Sequence, residues 1–368
     1  MIGIEQRSVC NGVNFRSVKD TKFKTVRMSV SFLMPIKKET AAVNALLTFM
    51  LSRACKQYPN FTKLGERLAE LYGANIDADV QKLGDVQLLH LSATGIADRY
   101  ALNGESISTE LSKLLCSIIF EPPLEKGLFP LDSFEQEKRQ TIELIKSEYN
   151  DKRIYARQRC EEIMCSKEPY GINRFGSIED IKNIQREELT QAWHNLLEKS
   201  RIEILVLGDC HPDPIFEDFY NAFKLINRTS ITPCNTTNIL KAEKVNDVTE
   251  KMEVAQSKLV MGFRTQTAIP DENVESVILL SAIFGGTPNS KLFLNVREKL
   301  SLCYYCSSAY DIMKGIMLVQ SGVETKNVEK AKDEILLQLN EIKKGNFDDN
   351  EINAAKLSLS NGYHSITD

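Results

Sequence analysis

The feature that most constrains this chain is that one order of elements is written twice. Residues 28–51, MSVSFLMPIKKETAAVNALLTFML, run strand, proline, polar turn, apolar helix, and residues 259–286, LVMGFRTQTAIPDENVESVILLSAIFGG, repeat that order. Residues 64–95 and 292–324 then each give helix, strand, turn, strand, and a helix follows in both halves, Glu105 to Ile119 in one and Asn327 to Lys344 in the other. A strand such as Thr25 to Met34 shows its half-buried state by alternation: Val26, Met28, Val30 and Phe32 against Arg27, Ser29 and Ser31. The helix from Ala41 to Arg53, with Thr40 placed to cap it, is apolar nearly all round and must be buried on most of its circumference. Asn75 to Val80 and Val86 to Thr94 alternate on either side of a Gly-Asp turn, which predicts a hairpin. Leu131 to Arg159 reads as one long charged helix with a break near Asn150 and Asp151. Such a pattern predicts a duplicated α+β unit, each copy a mostly antiparallel sheet covered by helices.

Residues 228–248, RTSITPCNTTNILKAEKVNDV, lose the apolar period and hold Thr, Asn and Pro, as a linker does. The expected division is therefore an N-terminal domain at 1–227, a linker at 228–248 and a C-terminal domain at 249–368. Because the second half stops well short of the extent of the first, the sequence is read as truncated at its C-terminus. Acidic and basic residues are interspersed with a net charge of -4, and no basic block suggests a nucleic-acid partner. No run approaches the ~20 apolar residues of a membrane span, and the first residues, MIGIEQRSVC, lack a signal-peptide pattern. Nine scattered cysteines suit reduced thiols in a cytoplasm. Cys303 and Cys306 form a Cys-x-x-Cys, but an odd separation on a strand points them to opposite faces, which argues against a joint redox or zinc role.

One block carries chemistry. In GGTPNSKLFLNVREKLSLCY, residues 285–304, a double glycine ends an apolar run, Ser290 is placed to cap a helix, and LCYYCSSAY then begins a strand. Arg297 and Tyr304 fall on two elements joined by a tight connection, so both can reach one extended ligand, Arg on a carbonyl or carboxylate and Tyr through its hydroxyl. The plainer alternative is a helix that exposes its Arg beside a strand that buries its Tyr.

The block resembles the second-half signature of the M16 metallopeptidases, the pitrilysin, insulinase and mitochondrial processing peptidase family. That family carries an Arg and a Tyr at this separation to hold substrate near its active site. The resemblance implies two LuxS/MPP-like metallohydrolase-type domains and assigns substrate binding to Arg297 and Tyr304. It also implies a His-x-x-Glu-His zinc motif on the first long helix of the first half. Here the aligned positions are Ala45, Thr48 and Phe49, none of which binds zinc or acts as a general base near neutral pH. The four histidines, His90, His194, His211 and His364, are too far apart to form another such pair and are read as structural or solvated. Glu137 and Glu143 are similar to the family's third-ligand region, and their spacing to Lys and Arg is read as a solvated helix face. No metal site and no catalytic residue are therefore expected.

In this family some members work as pairs, one subunit with zinc and one without. The resemblance accordingly implies a non-catalytic bacterial member, cytoplasmic and working as half of a heterodimer with an active paralogue. It would bind extended peptide while zinc sits in the partner, with a homodimer open to the isolated chain and no nucleic acid or membrane involved. A stand-alone peptide-binding or scaffold protein, and a divergent metallopeptidase, remain as alternatives.

Overall fold

The computed structural model describes residues 3–365. The described residues form two compact units, one of residues 3–146 and 172–235, the other of residues 147–171 and 236–365. This differs from a cut at 228–248. Residues 147–171 join the second unit, and the start of the supposed linker is built into the first. There Arg228 is buried, its guanidinium bonded to the carbonyls of Asn11, Leu197 and Ser200.

The first unit holds a six-stranded sheet. Strands β1 (Ile4–Cys10), β2 (Val13–Lys19), β3 (Thr25–Pro35), β4 (Asn75–Leu83), β5 (Val86–Ile96) and β6 (Arg201–Gly208) lie in the order β1-β2-β6-β3-β5-β4. All neighbours are antiparallel except β2 and β6. The alternation in β3 has the expected effect: Val26, Met28, Val30 and Phe32 are fully buried on the face that helices cover. The helices are α1 (Lys38–Leu51), α2 (Phe61–Glu70), α3 (Ile107–Phe120) and α4 (Leu131–Asn150). Helix α5 (Lys152–Met164) comes after α4 and a break at Asp151, whose side chain caps it, and belongs to the second unit. The first unit resumes with α6 (Ile178–Asn183), α7 (Arg186–Lys199) and α8 (Pro212–Phe223).

Helix α1 is packed between the β4–β5 hairpin and helices α6 and α7. Its apolar circumference explains that position, since a helix without a polar face gains most with packing on several sides. It starts at Lys38, before Thr40, and has no side-chain cap.

The second unit contains β7 (Ser257–Arg264), β8 (Cys303–Asp311) and β9 (Ile316–Val323), ordered β7-β9-β8 and wholly antiparallel. This is the arrangement of β3-β5-β4, strand for strand, so the duplication inferred from the sequence is present as topology. Helices α9 (Val274–Ser281), α10 (Val328–Lys343) and α11 (Asp349–His364) pack on one side. Strand β9 is buried on both faces. Met317 and Val319 enter the helical core, while Ile316 and Leu318 pack with Cys165 and Tyr170 just beyond α5. The near-continuous apolar run IMLV reflects that double cover.

Candidate functional site

The sequence points to two places, one in each unit. In the first, α1 carries Ala45, Thr48 and Phe49 where a zinc motif would sit. Ala45 is fully buried and the Phe49 ring lies 6.0 Å from that of Phe175. The Thr48 hydroxyl donates to the Asn44 carbonyl one turn back, at 2.9 Å. These side chains offer a methyl, a ring and an already committed hydroxyl. A zinc ion, which takes nitrogen, sulfur or carboxylate donors, does not fit them. Among the described residues no group of three or more His, Cys, Asp or Glu side chains is placed to hold a metal ion.

The polar groups around α1 are turned to structure. Gln87 on β5 donates through Nε2 to the carbonyls of Ala41 and Arg174, at 2.9 and 2.7 Å, and accepts from Asn44 Nδ2 at 3.1 Å. Gln87 and Asn44 are both buried, so their amides satisfy one another and the backbone without water.

Glu137 corrects the reading of a solvated acidic face. It is 4% exposed and accepts a bond from Arg53 Nε at 3.0 Å, while Arg53 Nη2 donates to Gln140 at 2.6 Å. Burial pushes the Glu137 carboxyl above its usual range, and the Arg53 guanidinium opposes that rise only in part. The buried residues of α4 are Phe134, Glu137, Lys138 and Thr141, at spacings of 3, 4 and 7 from the first, so the helical period already put Glu137 on the core stripe. Glu143, in contrast, is exposed and bonds Lys146. The histidines conform to expectation. His90 shares a 3.0 Å bond with Ser31 and burial lowers its pKa, while His194, His211 and His364 are exposed.

In the second unit, Gly285 lets the helical turn Ala282–Gly286 touch β8. A Cβ there would lie 2.6 Å from the Ser308 amide and 2.7 Å from Leu292. The next element, Leu292–Lys299, is wound as a π-helix, and Ser290 meets its start by accepting from the Phe293 amide at 3.4 Å. A π-turn inserts one residue and so re-aims the side chains C-terminal to it. Arg297 lies on this segment, its guanidinium 4.5 Å from the Phe293 ring centroid and its Nε 3.7 Å from Glu298. It keeps 40% of its side chain exposed.

Tyr304 is not a buried strand tyrosine. Cys303 pairs with Val323 and Tyr305 with Gly322, which leaves Tyr304 as the extra residue of a β-bulge, 62% exposed. The same bulge corrects the facing of the cysteines. Cys306 pairs with Ser321, so Cys303 and Cys306 stand opposite residues two apart on β9 and share a face. Both pack in one core cluster, and the Arg297 charge is felt at Cys303. Sequence spacing missed this because it assumes an unbroken pleat. Arg297 and Tyr304 thus lie on packed neighbouring elements of one unit, and both are exposed.

Comparison with known proteins places these features in context. A family model described as "Peptidase M16 inactive domain" matches residues 183–359. The chain is similar to the "Probable inactive metalloprotease YmfF" of Bacillus subtilis strain 168, with 31% identity over 97% of this chain and 84% of the relative. It is also similar, at 24% identity over 52% of this chain and 48% of the relative, to the "Uncharacterized zinc protease YmxG" of the same strain. A solved structure of a conserved protein from Enterococcus faecalis V583 superposes with a TM-score of 0.87 at 31% identity, covering 98% of this chain and 84% of that one.

Proposed function

The chain belongs to the M16 peptidase family, and we propose that it serves there as a catalytically inactive subunit that binds extended peptide and completes the chamber of a zinc-bearing paralogue. The observation that carries this reading is a contrast within one molecule. Helix α1 presents Ala45, Thr48 and Phe49, none of them a zinc donor, whereas Arg297 and Tyr304 stand exposed on adjoining elements. Peptide would gain backbone hydrogen bonds along an open strand edge, by β-augmentation. Strands β4 and β8 end their respective sheets, which supports that mode. Arg297 would engage a peptide carbonyl or carboxylate and Tyr304 would donate its phenol, and both would act by positioning.

A relative described as inactive and one described as a zinc protease in a single Bacillus strain support pairing with an active paralogue. The zinc would then be the partner's, and this chain would need no cofactor. Cysteines that are all free thiols, and described helices none of which is long and apolar enough to cross a membrane, support a cytoplasmic setting. The test is assembly of the chain with a paralogue bearing the intact zinc motif. The assembly should hydrolyse peptides, the chain alone should not, and Arg297→Ala should lower turnover while leaving association unchanged. One tightly held zinc per isolated chain, or full turnover by the Arg297→Ala assembly, would overturn the proposal. Peptide capture by the isolated chain with no effect of any paralogue would favour the scaffold reading.

A further inference from the structure

Residues 303–306, Cys-Tyr-Tyr-Cys, span the bulge of β8. In a regular strand, positions three apart face opposite ways and lie ~10 Å apart. Here the partners of Cys303 and Cys306 are Val323 and Ser321, two positions apart on β9. The two cysteines therefore stand at the separation of a two-residue step, ~6.7 Å at 3.3–3.4 Å per residue. Disulfides bridge Cα atoms that are ~4.4–6.8 Å apart, so the bulge brings the pair to the edge of bonding distance, on one face. Their exposure is unequal: Cys303 is half-buried and Cys306 is 5% exposed. That is the layout of an attacking thiol that solvent reaches and a resolving thiol behind it.

We propose that Cys303 and Cys306 form a thiol–disulfide site that reacts with low-molecular-weight disulfides and whose closure alters how Tyr304, the bulge residue between them, is presented. The Cys303 thiolate attacks one sulfur of the external disulfide. That S–S bond breaks, one thiolate leaves, and Cys303 carries the mixed disulfide. The Cys306 sulfur, giving its proton to solvent, attacks the Cys303 sulfur and displaces the second external thiol. Two protein thiols are oxidised and one external disulfide is reduced to two thiols. A hydrogen bond from Cys306, with Ser321 and the positive Arg297 nearby, pulls the Cys303 thiol down against the burial that opposes it, while the same bond and burial hold the Cys306 thiol up. Thiolate character is thus concentrated on Cys303. Burial instead holds the thiols of Cys165 and Cys210 up at about 12.

The chemistry stands independently of the subunit reading; only its consequence for peptide binding rests on it. The test treats the full chain with oxidised glutathione near neutral pH, blocks free thiols with N-ethylmaleimide and maps peptides by mass. The peptide holding both cysteines should have lost two hydrogens and carry neither glutathione nor maleimide. Cys306→Ser should instead trap a stable glutathione adduct on Cys303, and Cys303→Ser should slow adduct formation at Cys306 at least about tenfold. Maleimide on both cysteines of the treated wild type, or a lasting glutathione adduct on it, would overturn the site. Amide hydrogen exchange at 303–307 should differ between the reduced and oxidised forms, and identical exchange would overturn the effect on Tyr304. A chain that forms the disulfide yet binds no peptide in either state keeps the dithiol site and sinks the subunit reading instead.

Discussion

Arg53→Ala should destabilise the first unit in a way that depends on pH. Glu137 has 5% of its side chain exposed and is ion-paired with Arg53. Removing one member of a fully buried pair costs about 3–5 kcal/mol, because the remaining charge is left uncompensated. Arg53 is itself 38% exposed, so the attraction is screened and the expected loss is about 2–3 kcal/mol. The sign with pH is set by the direction of the Glu137 shift. Its folded pKa lies above the unfolded value of 4.5, so the folded state holds a proton that the unfolded state has released. The stability it contributes is fully present below 4.5 and is lost as pH rises through the folded pKa. Without Arg53 that pKa rises further and the window widens upward. The loss in Arg53→Ala should be largest near pH 8 and should shrink to about 1 kcal/mol, the worth of the missing hydrogen bonds, near pH 4, below the unfolded value of 4.5 where the carboxyl is protonated in both states. Adding Glu137→Gln should recover most of the loss at the higher pH. Urea unfolding tracked by the fluorescence of Trp193 is a suitable assay, since this one tryptophan is buried in the first unit with its indole bonded to the Ile119 carbonyl. Equal losses at the two pH values, or no recovery by Glu137→Gln, would refute the reasoning.

The same geometry sets other expectations. The Thr141 hydroxyl is buried with no hydrogen-bond partner, so Thr141→Val should be neutral or stabilise by up to about 1 kcal/mol in the same unfolding assay. Gln87→Leu would strand the Asn44 amide and two carbonyls and should cost about 2–3 kcal/mol. In the second unit, Glu168 is paired with both Arg264 and Lys314, all three side chains at most 5% exposed. Glu168→Gln leaves two buried cations together and should cost about 3–5 kcal/mol, read by calorimetry or by hydrogen exchange in β7 and β9. The Glu168 pKa is lowered despite its burial, through Arg264 and Lys314. The wild-type contribution is therefore present above the unfolded value of 4.5 and lost as pH falls through the folded pKa.

Much of the architecture was legible because the relevant signals are periodic. The alternation in β3 and the hairpin of β4 and β5 appear where their side chains put them, and the doubled element order emerges as β3-β5-β4 and β7-β9-β8. Helix limits were less legible. Thr40 has the chemistry of a cap, but α1 begins two residues before it, at Lys38, with no side-chain cap. Two site features failed for opposite reasons. Glu137 looked like surface because its type is usually solvated, although its spacing with Phe134 and Thr141 marked the core. The shared face of Cys303 and Cys306 could not be read at all, because a bulge is a property of the pairing with β9 and leaves no mark in local spacing.

The two candidate sites also differ in what stability can account for. Ala45 and Phe49 sit in α1 as packed apolar side chains, and the fold alone explains them. Tyr304 has no such explanation. It lies outside the strand register and leaves 62% of its surface in water, so it contributes little burial energy. Arg297 stacks its guanidinium on Phe293 with 40% of its side chain exposed, and an exposed contact of that kind is worth about 0.5–1 kcal/mol. A bulge that displaces the tyrosine from the sheet and a π-helix that re-aims the arginine both depart from the best local geometry. Departures of that kind cluster where a ligand is held. The first site is closed and packed and the second open and irregular, an asymmetry that agrees with the binding role proposed above.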